Sequence, residues 1–370
     1  MSDKQTRVMV VDDSALIREM ISDLVDSHPK LEVAGCARDG LEAVKKVDEF
    51  NPDVITLDIQ MPRMDGLESL DAILSKRSIP VIMVSSLTQR AADVTLDALQ
   101  RGAMDYVAKP ESIRDATGVW GKDLLNKIQN MAGADVNRIL RIRKSKQKKK
   151  TEQTASCRTA APVVSAHPSY VNCCIALGIS TGGPPALSRV FESIEPPLPP
   201  LVVVQHMPAQ FTGPFAKRLD LISRLNVKEA ETGDVLKPNH AYVAPGGKHL
   251  VLRRRGSNVS VAIRNGDPVS GHKPSVDVMM QSAVDCYGQR VLGVIMTGMG
   301  HDGADGCGAI KQAGGYVFGQ DEATSDVYGM NKVAFVAGNV HKQFDLDSLP
   351  RLITKQCSRQ FTNSKRISTN

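Results

Sequence analysis

"CCIALGISTGGPPAL", residues 173–187, passes from an apolar run of strand length, through a serine set among glycines, into the start of a helical pattern. Glycines on both sides of Ser180 let the chain turn sharply and leave the hydroxyl at the end of the strand. A strand that feeds directly into a helix is the unit from which parallel α/β sheets are built. Working outward, the alternation continues with helix "PPALSRVFESI", strand "PLVVVQH" and helix "QFTGPFAKRLDLIS". Helix "SVDVMMQSAVDCY" and strand "RVLGVIMTG" follow later, with a further helix and strand to about 340. Between them, 227–264 carries short strands divided by turn residues ("ETGD", "APGG", "RRRG"), which predicts antiparallel hairpins.

On the N-terminal side, "RVMVVD", "LEVAGCA", "DVITLD", "PVIMVSS" and "DYVAKP" each have strand length, with helical periodicity between them. Five such units imply a parallel sheet covered on both faces. Residues 132–170 lose this rhythm, turning basic and then rich in Ser, Thr, Ala and Pro, as a linker does. The expected fold class is therefore α/β, with two doubly wound parallel-sheet domains. The expected bounds are 6–125 for the first domain, 126–170 for the linker, 171–356 for the second domain and 357–370 for a polar, frayed tail.

Length and composition agree with two soluble domains: 370 residues, 42% hydrophobic and 23% charged. Seven cysteines without a CxxC pair suggest neither a disulfide framework nor zinc, and read as buried thiols in a reducing compartment. No run approaches a membrane span and no leader pattern opens the sequence, so a cytoplasmic protein, not embedded in a membrane, is expected. The net charge of +6 is concentrated in "RILRIRKSKQKKK", 138–150, which holds eight Lys and Arg. That run reads as a self-repelling solvated linker or as a contact for an acidic partner. Aromatics at 4% argue against base stacking, and no helix-turn-helix pattern follows the first domain. No nucleic-acid partner is expected, and the chain is expected to be monomeric.

Ligands of a parallel α/β sheet bind outside the carboxyl ends of its strands. Asp12 and Asp13 end the first strand and Asp58 the third, while Ser85 ends the fourth and Lys109 the fifth. Converging carboxylates repel one another unless a cation joins them, and such oxygen ligands suit Mg²⁺. Each aspartate alone could be a helix cap or turn residue, but five polar groups on successive strand ends suggest a site that accepts a phosphoryl group. The motifs "VDDS" (11–14), "LDIQMPRMDG" (57–66), "MVSS" (83–86) and "YVAKP" (106–110) closely resemble the receiver domains of two-component response regulators. The resemblance implies a flavodoxin-like fold, Mg²⁺ held by Asp12, Asp13 and Asp58, and phosphorylation of Asp58 by a histidine kinase. It also implies that Ser85, Tyr106 and Lys109 are switch positions, with Lys109 able to pair with the phosphate's charge.

"GISTG" (178–182) fits G-x-S-x-G between a strand and a helix. A tight turn or a phosphate cradle would satisfy the same glycines, although the Lys of a P-loop is missing. A serine nucleophile needs a base and a group that orients it. His206 ends the strand after the one bearing Ser180, whereas His240, His249 and His272 fall in or beside the hairpin region and read as structural. Asp302 lies just beyond the strand "RVLGVIMTG", with Asp305 as a rival acid and His301 as a rival base.

"GISTGGPPAL" (178–187), "VVQHMP" (203–208), "APGGKHL" (244–250), "GHKPSVD" (271–277) and "IMTGMGHDGADG" (295–306) together resemble the catalytic domain of the chemotaxis protein-glutamate methylesterases, the CheB family. The resemblance implies a Rossmann-like domain with an added β-hairpin region and a triad of Ser180, His206 and Asp302. It places the oxyanion at the backbone N–H groups of Met299 and Thr181. It further implies hydrolysis of γ-glutamyl methyl esters on chemoreceptors without a cofactor, deamidation of receptor glutamines, and release of inhibition when Asp58 is phosphorylated. A regulator whose output domain binds a nucleotide or DNA is the competing reading.

Overall fold

The three central strands of the N-terminal half, 6–11, 54–58 and 81–85, are rich in Val, Ile, Leu and Met whose side chains are mostly buried, as a sheet covered on both faces requires. The computed structural model describes residues 5–86, 88–109, 118–144 and 167–362. The chain forms two units, Met1–Lys149 and Lys150–Asn370.

In the first unit, β1 (Thr6–Val11), β2 (Leu31–Ala37), β3 (Val54–Asp58), β4 (Val81–Ser85) and β5 (Asp105–Ala108) form a parallel sheet of order β2-β1-β3-β4-β5. The connecting helices are α1 (Ala15–Asp26), α2 (Gly40–Phe50), α3 (Gly66–Lys76) and α4 (Gln89–Arg101). Asp39 and Asp65 accept from Glu42 N–H and Glu68 N–H at 2.9 Å each, N-caps typically worth ~1 kcal/mol. Because β3 pairs with β1 and β4, the strand ends that carry Asp12, Asp58 and Ser85 lie side by side.

The chain stays helical beyond the expected end of this domain. Helices α5 (Val119–Met131) and α6 (Val136–Lys144) occupy 126–144, where a linker was expected. Leu124, Ile128, Met131, Val136 and Ile139 are buried, so an apolar stripe anchors these helices. The dense Arg and Lys of 138–144 concealed that stripe in the composition. The remaining expected linker, 145–166, lies outside the described residues.

The second unit is built on a seven-stranded parallel sheet of order β14-β13-β12-β6-β7-β9-β8. Its strands are β6 (Cys174–Ile179), β7 (Leu201–Gln205), β8 (Asn226–Glu229), β9 (His240–Val243), β12 (Val291–Ile295), β13 (Tyr316–Gln320) and β14 (Lys342–Phe344). Its helices are α7 (Gly183–Ser193), α8 (Ala209–Ile222), α9 (Val276–Tyr287), α10 (Ala304–Gln312), α11 (Met330–Val336) and α12 (Leu349–Cys357). The hairpin region is smaller than expected. Among the described residues, β10 (His249–Arg255) and β11 (Asn258–Arg264) form the antiparallel strand pair, with an antiparallel bridge from Val235 to Ser260 beside it; β8 and β9 are parallel to each other and extend the main sheet. A four-residue strand carries too few alternations to reveal its direction. The tail also begins later than expected, since Cys357 and Phe361 are fully buried and Gln360 donates to the Gln289 carbonyl at 2.8 Å.

The order of strands fixes where ligands go. From β6 the chain passes to β7, then to β8 at the edge, and returns to insert β9 between them before crossing back to add β12, β13 and β14 on the other side. The sheet reverses beside β6, a switch point at whose carboxyl edge α/β proteins bind their ligands.

Candidate functional sites

At the carboxyl edge of the first sheet, Asp12 and Asp58 are buried and Asp13 is exposed. One carboxylate oxygen from each lies within 4.8 Å of the others, an oxygen set that fits Mg²⁺. Lys109 Nζ reaches from the end of β5 to Asp12 Oδ2 at 2.8 Å and Asp58 Oδ2 at 2.9 Å. Burial first, and the Asp12 charge second, push the Asp58 carboxyl up to about 6 against the pull of Lys109. Ser85 Oγ accepts the Thr95 hydroxyl at 2.9 Å. Tyr106 is buried in β5 under Lys127, whose ammonium donates to the Tyr106 carbonyl at 2.7 Å and lies 3.5 Å from Asp105 and 3.3 Å from Asp123. The sequence did not single out Lys127, which lies on α5.

At the switch point of the second sheet, Ser180 follows β6, His206 follows β7, and Asp302 sits in the loop after β12. The strands are neighbours in the order β12-β6-β7, with Gly178 opposite Ile295 and Ile179 opposite Gln205. Ser180 leaves β6 with its N–H donated to the Thr297 carbonyl at 2.9 Å and its own carbonyl accepting Gly183 N–H at 2.8 Å. Gly182, at φ +77, completes the turn into α7. A Cβ on Gly298 would come within 2.7 Å of Ser180 Cβ, so the loop bearing Met299 packs directly on the serine. Thr181, also buried, accepts the Thr297 hydroxyl at its carbonyl at 2.9 Å.

Asp302 is fully buried and its carboxylate accepts four hydrogen bonds: His206 Nε2–H at 2.8 Å, the Ser275 hydroxyl at 2.8 Å, Val276 N–H at 2.7 Å and Asp277 N–H at 3.1 Å. Burial alone would raise its carboxyl, but the His206 partner and the two N–H groups outweigh burial and hold it well below the usual carboxylate range. Because Asp302 takes Nε2, Nδ1 is the ring nitrogen of His206 left for a further partner. That Nδ1 is buried and has no hydrogen-bond partner among the described residues. The imidazole and the carboxylate are thus joined, while no hydrogen bond joins Ser180 Oγ to His206. The rivals fare differently, since His301 and Asp305 are both exposed.

Three residues around this site escaped the reading of the sequence. Gln205, at the end of β7 and buried, donates from one Nε2 to the carbonyls of Ser180 at 3.0 Å and His206 at 3.1 Å. His272, read as structural, stacks on His206 with ring centroids 3.8 Å apart and planes 9° from parallel. Its Nδ1–H donates to the Ser270 carbonyl at 2.8 Å, which sets its tautomer. Asp277 faces the loop bearing Asp302. "GHKPSVD" carried two of the three, but no periodicity reports that a loop folds back over a strand end.

Sequence profiles match two families along the chain, the response regulator receiver domain over 8–120 and the CheB methylesterase over 175–353. A protein-glutamate methylesterase/protein-glutamine glutaminase of Cupriavidus pinatubonensis is 41% identical, over 99% of this chain and 100% of the relative. The chain belongs to the CheB methylesterase family. A Geobacter metallireducens protein of the same description is 42% identical over 95% of this chain and 96% of that protein. Among solved structures, the CheB methylesterase catalytic domain of Thermotoga maritima is 36% identical, with a TM-score of 0.49, covering 50% of this chain and 98% of that one. The response regulator domain of the same T. maritima protein is 46% identical, with a TM-score of 0.34, covering 36% of this chain and 99% of that one. No helix among the described residues is long and apolar enough to cross a membrane.

Proposed function

We propose that this protein is a phosphorylation-activated serine hydrolase that cleaves γ-glutamyl methyl esters on cytoplasmic segments of chemoreceptors, releasing methanol, and deamidates receptor glutamines by the same acyl chemistry. The observation that carries this reading is the buried His206–Asp302 pair at the carboxyl edge of the two strands that flank and follow β6, with Ser180 on the central strand between them. In this reading His206 Nδ1 takes the Ser180 proton as Oγ bonds to the ester carbonyl carbon. Asp302 keeps the other ring proton on Nε2 and steadies the imidazolium. Met299 and Thr181 N–H groups are the proposed donors to the oxyanion, each typically worth ~3–4 kcal/mol in the transition state. The C–OCH₃ bond then breaks, and the methoxy oxygen takes the proton from His206 and leaves as methanol. Water, deprotonated by His206, attacks the acyl-enzyme and frees the glutamate carboxylate and the serine hydroxyl.

In the first domain Asp58 is the proposed phosphoryl acceptor, with a chemotaxis histidine kinase as donor. Mg²⁺ bound by Asp12, Asp13 and Asp58 would neutralise charge on the incoming phosphoryl group. Lys109, between Asp12 and Asp58, balances the same charge, and Ser85 offers its hydroxyl from the adjacent strand end. Ser85, Tyr106 and Lys109 are the proposed switch positions. Ester hydrolysis itself is carried by the chain's own side chains. The proposed setting is the cytoplasm, beside receptor arrays, with the protein acting as a monomer.

The test is methanol release from methylated receptor membranes, with and without acetyl phosphate as phosphodonor. Wild type should release methanol faster with acetyl phosphate. Ser180→Ala should lose release at least ~1000-fold while still accepting phosphate at Asp58. Methanol release that survived the substitution would overturn the triad.

A further inference from the structure

We propose that Asp277 is a positioning residue of the esterase, which fixes the acid of the triad because the carboxylates of Asp277 and Asp302 hold the start of each other's helix. The inference rests on the triad reading above and extends it to a residue that does not touch His206.

Asp302 immediately precedes Gly303 and α10, while Asp277 lies in the first turn of α9. The Asp302 carboxylate accepts Val276 N–H, Asp277 N–H and the Ser275 hydroxyl, all at the start of α9. In return, Asp277 Oδ1 accepts Gly303 N–H at 2.9 Å and Gly306 N–H at 2.7 Å, at the start of α10. The first N–H groups of a helix lack partners within it, and its N-terminus favours negative charge. Here each helix finds both in the residue that opens the other. The ring of bonds leaves Asp302 no independent movement, because the backbone that follows it is tied to Asp277. Close packing reinforces the ring: a Cβ on Gly306 would lie 2.7 Å from Met280 Cβ and 3.3 Å from Asp277 Cα.

A helix cap alone would account for these bonds, so the second consequence of the geometry is the discriminating one. Asp277 faces Asp302, with Asp305 and the Cys307 thiol on α10 close enough to feel its charge. His206 lies across Asp302, with His272 stacked on it. Burial, and then the charges of Asp302 and Asp305, push the Asp277 carboxyl up to about 6. The pair of acids thus gains its second negative charge near neutral pH, beside the imidazole that must accept a proton.

Asp277→Asn keeps an oxygen for both N–H groups but removes that second charge. The experiment measures the pH dependence of kcat/KM for methanol release by the acetyl-phosphate-treated full chain, in wild type, Asp277→Asn and Ser180→Ala. The expected result is a folded Asp277→Asn protein with reduced kcat and an acid limb displaced to lower pH by roughly half a unit or more, the scale of one charge acting through a neighbour. An acid limb that stays at the wild-type pH, with Ser180→Ala inactive, overturns the role of Asp277 alone. An active Ser180→Ala overturns the triad beneath it. If Asp277→Asn does not fold, Asp277→Glu, which keeps the charge but displaces the oxygens, decides: a fall in kcat of at least fivefold with an unmoved limb supports positioning, and an unchanged kcat refutes it.

Discussion

Gln205 illustrates how a single side chain ties two strand ends. Its amide donates at once to the carbonyls of Ser180 and His206, with the side chain buried against Gly183. Gln205→Leu removes both bonds at similar size, which should cost ~1–3 kcal/mol of stability for buried carbonyls that lose a donor. It should lower kcat about tenfold or more, because nucleophile and base are then positioned separately; thermal unfolding and methanol release measure the two effects. Asp277 has a stability signature as well. Its carboxyl is pushed from 3.8 up to about 6 in the folded chain, so between those values the folded protein holds a proton that the unfolded chain has released. Stability contributed by that proton is present below this window and is lost as pH rises through it. Asp277→Asn escapes the loss, and its melting temperature relative to wild type should rise between about pH 4 and about pH 6.5. A constant difference across that range would contradict the raised carboxyl.

The turn between β6 and α7 is the element on which the proposed hydrolase site depends. Gly182 stands at φ +77, where L residues with a Cβ are strained, and an added Cβ would lie 2.6 Å from Asp326. Gly182→Ala should therefore destabilise the second unit by ~1–3 kcal/mol and lower ester hydrolysis together, as calorimetry and methanol release would show. The strand–serine–helix pattern was legible because an apolar run, three glycines and a helical period fall within fifteen residues, 173–187. Elements α5 and α6 were not, because their buried side of Leu124, Ile128, Met131, Val136 and Ile139 is interrupted by charge. Strands β8 and β9 were read as hairpin partners because their four residues fit either direction of pairing.

At the scale of the whole molecule, one chain carries a receiver domain and a CheB methylesterase domain, each with its proposed site at the carboxyl edge of a parallel sheet. The proposed coupling is restraint released by phosphorylation. A chain of residues 150–370, which retains Ser180, His206 and Asp302, should hydrolyse receptor methyl esters several-fold faster than the unphosphorylated full chain. It should also lose its response to acetyl phosphate. Methanol release no faster than that of the unphosphorylated full chain would end the restraint account.

Local chemistry was enough to announce two α/β domains, the acidic strand ends of the first, and the serine, histidine and aspartate strand ends of the second. Each of those features stands at or just beyond the end of an apolar run of strand length, and a parallel sheet brings such strand ends to a shared edge. Only the tertiary structure decided which nitrogen of His206 meets Asp302, and brought Gln205, His272 and Asp277 around the same loop. Those contacts span up to 96 positions of chain and depend on how loops return over the sheet, which no local period of the sequence encodes.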